Sequence, residues 1–412
     1  MLNRRVVVTG MAGFSPIGND WAEIRGRLST RRSGIRYMTD WDKYNGLLTR
    51  LGGPVENFDL PAHYTRKNTR SMGRVALLAT RATELALSDA GLLGDPLISG
   101  GRTGVSYGSS VGSTSAVADF GKMLIDHDIG NLNATTYLKM MGHTTTANVA
   151  VFFQTRGRII PAVSACTSGS QGIGFAYEAI KFGQQDVMLA GGAEELCPTM
   201  AALFDALYAT STRNQAPEST PRPFDRDRDG LVIGEGACTL VLEELGHALA
   251  RGAHIYAEVA GFATNADGAH VTQPNADTMQ IVMRLALRDA GLEASQIAYI
   301  SAHGTATEQG DIAESHATAA VFGPHTPLSS LKGYTGHTLG ACGALEAMVA
   351  IRMMREGWFH PNLNLEHIDS RCAELDYISG AGRDLAAEYV MSNNFAFGGI
   401  NTSLIFRRWQ DR

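Results

Sequence analysis

Leu85-Ala86-Leu87-Ser88-Asp89-Ala90-Gly91-Leu92 returns further along the chain as Leu285-Ala286-Leu287-Arg288-Asp289-Ala290-Gly291-Leu292, differing only at Ser88 and Arg288. Each copy reads as the end of an amphipathic helix, closed by a glycine that takes the left-handed turn of a C-cap. A short apolar strand follows in each case, Thr103-Gly104-Val105-Ser106-Tyr107 and Ile297-Ala298-Tyr299-Ile300. Both strands run into loops of small residues, Gly108-Ser109-Ser110 and His303-Gly304-Thr305. An octapeptide can recur by accident in Ala/Leu-rich helices. The shared order of helix, cap, strand and loop makes internal duplication the reading.

The halves agree further out. Arg5-Val6-Val7-Val8-Thr9-Gly10 opens the first, and Ala257-Glu258-Val259-Ala260-Gly261-Phe262 opens the second. Each half also carries a Gly-rich loop feeding a helix: Ser164-Ala165-Cys166-Thr167-Ser168-Gly169-Ser170 before Gly172–Ile180, and Gly333-Tyr334-Thr335-Gly336-His337 before Leu339–Ile351. Alternating strands and helices imply a layered α/β architecture. The expected division is two related halves, residues 1–250 and 251–412, with no flexible linker. The polar stretch Arg213 to Asp229 is expected to be a loop inside the first half.

The 412 residues are 44% apolar and 18% charged, the mix of a packed globular enzyme rather than a disordered or fibrous chain. A formal net charge of -6 leaves no basic excess for phosphates, which argues against nucleic acid as a partner. The opening Met1-Leu2-Asn3-Arg4-Arg5-Val6-Val7-Val8 lacks an apolar core long enough for a secretion signal. No apolar run approaches the roughly 18 residues of a membrane-spanning helix. Five cysteines (Cys166, Cys197, Cys238, Cys342, Cys372) are odd in number and form no CxxC pair, so neither a zinc site nor a disulfide framework is expected. These features describe a soluble, cytoplasmic chain without a metal.

Cys166 is the strongest candidate for chemistry. It lies among small residues at the expected start of a helix, where partial positive charge would lower a thiol pKa and backbone N–H groups could hold an oxyanion. An isolated cysteine in such a loop is more often structural, so its partners decide. His303, in Ser301-Ala302-His303-Gly304-Thr305-Ala306-Thr307, directly follows an expected strand. His337 ends Lys332-Gly333-Tyr334-Thr335-Gly336-His337. Glycine-rich strand-end loops commonly carry active sites, and a histidine among glycines has little to pack against. His247, His254, His316 and His367 stand among charged or helical residues and carry no such signal.

Together, Ala165-Cys166-Thr167-Ser168-Gly169, the His303 segment, the Lys332–His337 segment and Asn394-Phe395-Ala396-Phe397-Gly398-Gly399-Ile400-Asn401 resemble the β-ketoacyl-acyl carrier protein synthases. So does Arg222-Pro223-Phe224-Asp225-Arg226-Asp227-Arg228-Asp229-Gly230 leading into Gly234-Glu235-Gly236. The resemblance spans nearly the whole chain. It implies the thiolase fold, two duplicated βαβαβ-type halves in an α-β-α-β-α stack. A Cys-His-His set places the chain with elongating enzymes, against Cys-His-Asn initiating enzymes and Cys-His-Cys thiolases. Neither Cys342 nor Cys372 stands where a thiolase would carry its second cysteine.

The resemblance also implies roles. Cys166 would accept the acyl chain as a thioester. Backbone N–H groups of Cys166 and Phe397 would hold the oxyanion. His303 and His337 would stabilise the enolate left by decarboxylation of a malonyl unit, with Lys332 ordering them. Thr305 and Thr307 match positions that bind pantetheine amides, and Val111 falls where the family limits chain length. No cofactor is implied beyond the phosphopantetheine arm of acyl carrier protein, the expected partner. Lys67 and Arg70, with Arg66 and Arg74 beside them, match the carrier-docking cluster. The counterpart of a second basic patch, residues 126–131, is neutral to acidic. A dimer is expected, with itself or with a homologue; a non-catalytic chain-length factor is the alternative, and it would lack the nucleophile. Three departures bear on the substrate, whether fatty acid, polyene or polyketide. Ala396 replaces the usual Gly, Ile400 the usual Thr, and Gly333 the usual Ser or Ala. An alanine at 396 would cost roughly 1 kcal/mol if that position needed positive φ.

Overall fold

Ten strands hydrogen-bond into a single sheet: Val6–Phe14 (β1), Thr103–Gly108 (β2), Ile159–Pro161 (β3), Val187–Glu194 (β4), Gly236–Glu244 (β5), Ala257–Ala266 (β6), Ile297–Ser301 (β7), Leu328–Ser329 (β8), Tyr389–Ala396 (β9) and Ile400–Arg408 (β10). Their order is β8-β7-β9-β10-β6-β1-β5-β4-β2-β3. β2 and β4 are buried along their whole length, which explains runs of small and apolar residues without alternation. The order reads alike from either edge. β3, β2 and β4 run parallel, β5 and β1 follow antiparallel, and β8, β7, β9, β10 and β6 repeat the pattern. β1 and β6 meet antiparallel at the centre. The computed structural model describes residues 4–130 and 132–410. Met1-Leu2-Asn3 of the opening segment and Asn131 of the 126–131 segment lie outside the described residues.

Six helices complete the layers: Arg74–Asp89 (α1), Thr144–Phe153 (α2), Ser168–Lys181 (α3), Ala276–Ala290 (α4), Glu308–Phe322 (α5) and Cys342–Glu356 (α6). α3 and α6 bury most of their circumference, pack on each other and touch strands of both halves, so they form the inner layer. α1 and α2 cover the first half, and α4 and α5 the second. No helix among the described residues is long and apolar enough to cross a membrane.

The repeated octapeptide does the same work twice. Gly91 and Gly291 take φ of 68° and 67°, and the N–H groups of Leu92 and Leu292 return to Leu87 O (2.8 Å) and Leu287 O (3.0 Å). Asp89 accepts the Met11 N–H at 2.9 Å, and Asp289 accepts that of Phe262 at 3.1 Å. Each helix thereby lies on the opening strand of its half so closely that only glycine fits. A Cβ at Gly10 would come within 2.4 Å of Ala86 O, and one at Gly261 within 2.7 Å of Ala286 O. Two details differ from expectation. α3 begins at Ser168, ahead of Gly172, and Lys332–Thr335 forms one helical turn within the expected loop.

Candidate active site

Cys166 occupies a 3₁₀ turn, Ala165–Thr167, immediately before α3, and is buried. Ala165 has φ 50°, a conformation an alanine adopts only when its surroundings impose it. His337 follows the short Lys332–Thr335 helix and places Nε2 3.0 Å from the Cys166 sulfur. Its Nδ1 accepts the Leu339 N–H at 3.3 Å, so the ring proton belongs on Nε2. His303 stands just past the end of β7. Its Nδ1 faces two donors, Lys332 Nζ at 3.2 Å and Asn394 Nδ2 at 3.3 Å, which again puts the proton on Nε2. The two imidazoles lie 5.2 Å apart at 86°.

Electrostatics agree with this assignment. Burial, reinforced by the Lys332 charge, holds both histidines well below the usual imidazole pKa, so both are neutral. Lys332 is itself buried. Burial pulls its ammonium down, but Glu346 more than offsets this and leaves its pKa raised. The Lys332 Nζ–Glu346 Oε1 distance is 2.5 Å, and Glu346 Oε2 accepts Asn394 Nδ2 at 2.7 Å. The Cys166 thiol departs from expectation. Burial pushes it up to about 11, only partly countered by Lys332 and by the N–H groups of Phe397 and Cys166. Desolvation outweighs the helix start, so the resting residue is a thiol rather than a thiolate.

Cys166 Sγ and ring nitrogens of His303 and His337 lie within 4.8 Å of one another, a spacing a zinc ion could use. The tautomers oppose it: the Nδ1 lone pairs are taken by fixed donors and the Nε2 positions carry protons. The arrangement is built to donate hydrogen bonds.

The remaining assignments sort by position. A cavity of about 380 Å³ contains Cys166, both histidines, Thr305, Thr307 and Phe397 in its lining. The two threonine hydroxyls lie 2.9 Å apart, on one side as their spacing predicts. Glu314 accepts the N–H groups of His303 and Gly304, each at 2.7 Å, and so fixes the start of this segment. Phe397 packs on Phe204 with ring centres 5.1 Å apart. Its loop is tied to a neighbouring one by Gly398 N–H to Val271 O and Asp267 N–H to Gly399 O, both 2.7 Å. Ala396 ends β9 opposite Ile400, and positive φ falls at Gly398 and Gly399 instead. The alanine therefore carries no backbone penalty here. Val111 is half-buried and is not among the cavity-lining residues.

Arg66, Lys67 and Arg70 are exposed around the short helix Arg66–Thr69. Arg74, the fourth member of the expected docking cluster, is exposed too but differs from the other three in having a partner. It begins α1, where its guanidinium pairs in bidentate fashion with the carboxylate of buried Glu235, Nη2–Oε2 2.8 Å. Its side chain is 44% exposed, but its charge is already paired with that carboxylate. Glu346 and Glu314 escaped the sequence reading. A signal existed for Glu346, the lone charge in the otherwise apolar run from Cys342 to Ile351.

Residues 3–248 match the N-terminal domain of beta-ketoacyl synthase and residues 256–366 its C-terminal domain. The chain is 36% identical to 3-oxoacyl-[acyl-carrier-protein] synthase 2 of Synechocystis sp. over 99% of both chains. A crystal structure of a beta-ketoacyl synthase from Burkholderia phymatum STM815 superimposes with a TM-score of 0.98 at 58% identity, covering 99% of this chain and 100% of that one. The type II polyketide synthase assembly AntDE:AntF, an acyl-carrier protein in complex with its ketosynthase bound to the hexaketide, is similar at a TM-score of 0.88 and 31% identity. That match covers 99% of this chain and 100% of that one.

Proposed function

This chain belongs to the β-ketoacyl synthase family and is a carbon–carbon bond-forming acyltransferase, a 3-oxoacyl-acyl carrier protein synthase; we propose that Cys166 carries the acyl chain while His303 and His337 stabilise the enolate. The observation that carries this division is the shared tautomer: two neutral imidazoles presenting Nε2–H beside one buried thiol.

In the first half-reaction the Cys166 sulfur attacks an acyl thioester, forming one C–S bond and breaking another. The thiol proton leaves with the carrier thiol. The N–H groups of Cys166 and Phe397, both directed at the sulfur, stand where the oxyanion develops. In the second, a malonyl thioester loses carbon dioxide, and the electron pair of the broken C–C bond becomes an enolate. Its oxygen receives the two Nε2–H donors, and its carbon attacks the acyl thioester on Cys166, releasing the 3-oxoacyl product and a Cys166 thiolate that takes a proton from water to return to the resting thiol.

The surroundings favour loss of the carboxylate. Among the described residues lining the cavity the only guanidinium is Arg228, already engaged by Asp369 at 2.6 Å. A malonyl carboxylate entering beside Phe395, Phe397 and two neutral imidazoles exchanges water for no counter-charge, and departure as carbon dioxide relieves that cost.

The arm reaching this chemistry is the phosphopantetheine of acyl carrier protein, received by Thr305 and Thr307, with the carrier docking on Lys67 and Arg70. The enzyme works in the cytoplasm as a dimer. The edge strand β3 is open, and Val151, Ile159 and Val163 around it are exposed, which fits a second copy or a homologous subunit. Incubation with acyl carrier and malonyl carrier should yield 3-oxoacyl carrier, with the acyl adduct on the Cys166 peptide. Decarboxylation without condensation, or an adduct on Cys342 or Cys372, would overturn the assignment.

A further inference from the structure

No step of that reaction uses the polar loop Arg222–Gly230, yet this loop of the first half reaches the catalytic strand end of the second. Arg228 of this loop has a side chain only 2% exposed. Its guanidinium spends every arm of the fork. Nε donates to Thr307 O at 3.3 Å and Nη2 to Glu308 O at 3.0 Å. Nη1 donates to Asp225 O at 2.8 Å and to Asp369 Oδ2 at 2.6 Å. Asp369 is held in turn by Arg371 at 2.7 Å. Four residues earlier, the Phe224 N–H donates to Asp311 Oδ2 at 2.7 Å, and Asp311 Oδ1 accepts the Ala306 N–H at 3.1 Å.

The segment so clasped needs holding. Gly304 and Ala306 have φ of 39° and 64°, and an alanine takes such a conformation only where its neighbours over-determine it. Ala306 lies between the two cavity-lining threonines, whose hydroxyls bond to each other. A lysine could not replace the arginine, because a single ammonium cannot serve three carbonyls and a carboxylate in the geometry of a planar fork.

We propose that Arg228 is a positioning residue: from the first half it holds the Thr307 and Glu308 carbonyls so that the Thr305 and Thr307 hydroxyls meet the amides of the pantetheine arm. This rests on the reading of those threonines as arm-binding. Small displacements of positioning groups are costly in catalysis, so the loss should be selective for substrates that carry the arm.

The test compares malonyl-pantetheine with S-ethyl malonyl thioester, which has no pantetheine amide, in decarboxylation by the full-length enzyme. Arg228→Lys should raise the KM for malonyl-pantetheine about tenfold while leaving kcat/KM for the ethyl thioester within about twofold. Asp369→Asn, which keeps Arg228 but loosens its anchor, should shift the same ratio in the same direction by less, and it serves if Arg228→Lys fails to fold. Thr305→Val with Thr307→Val should reproduce the selectivity. If the arginine and aspartate variants impair both thioesters alike, or neither, the inference is overturned. If the threonine pair shows no selectivity while Arg228→Lys does, the loop still depends on Arg228 but the hydroxyls are not what holds the arm.

Discussion

His337 Nε2 stands 3.0 Å from Cys166 Sγ, while the opposite ring nitrogen accepts the Leu339 N–H. A histidine held in this tautomer donates to the sulfur and cannot take its proton. The familiar thiol–imidazole relation, in which the ring acts as base, is therefore reversed here. His303 is held the same way by Lys332 and Asn394. The pair is prepared for a negative oxygen, which arises when malonate loses carbon dioxide.

Removing the nucleophile separates the two half-reactions. Cys166→Ala should abolish condensation and the acyl adduct seen by mass spectrometry. Cys166→Gln should keep malonyl decarboxylation, because the donors of His303 and His337 remain. Loss of decarboxylation in a folded Cys166→Gln protein would tie the histidines to the thiol instead.

The histidine variants should show the converse. His303→Ala or His337→Ala should lower decarboxylation on the order of a hundredfold, the usual loss for one oxyanion donor, while Cys166 is still acylated. Single-turnover transfer of a labelled acyl group reads the first step alone. Equal loss of transfer and decarboxylation in both variants would contradict the separation of roles.

Cys166 should respond to pH as a buried thiol. With its pKa pushed up to about 11, the reactive thiolate is a minor form at neutral pH and grows as pH rises. Alkylation by iodoacetamide, followed on the Cys166 peptide, should accelerate through pH 7 to about 10 without a plateau. Lys332→Met, which removes the charge that lowers this pKa, should slow the reaction at any given pH. A plateau below pH 7 would mean that the helix start outweighs burial after all.

Glu346 is the counter-charge that lets Lys332 remain buried and ionised. Glu346→Gln leaves an uncompensated ammonium, which should cost about 3–5 kcal/mol in denaturant unfolding. Lys332→Met combined with Glu346→Gln should recover part of that stability but not the decarboxylation rate. A Glu346→Gln protein of unchanged stability would show that the pair contributes little.

Carrier docking should separate Lys67 and Arg70 from Arg74. Reversing Lys67 and Arg70 to Glu should raise the KM for carrier-bound substrates and leave a pantetheine thioester unaffected, with an association rate that falls as salt rises. Arg74→Ala should instead cost on the order of 2 kcal/mol of stability, because buried Glu235 loses its partner. If Arg74→Ala raises the carrier KM at unchanged stability, it belongs to the docking surface.

The sequence by itself determined the duplication and the position of both helix caps, and it singled out Cys166, His303 and His337 as candidates that the family resemblance then joined. These rest on local physics. A glycine at a left-handed cap, an aspartate and alanine packed on the opening strand and small residues around a nucleophile each leave a mark within a few positions. Tertiary structure alone decided the chemical state of those residues. The His303 tautomer depends on Lys332 and Asn394, and the Lys332 charge depends on Glu346, all brought together from separate segments. Whether Cys166 rests as thiol or thiolate is set by burial, which no local pattern encodes. Arg74 looked like its basic neighbours until Glu235, far along the chain, claimed it. Identity and spacing are properties of the chain, whereas protonation and pairing belong to the neighbours that folding supplies.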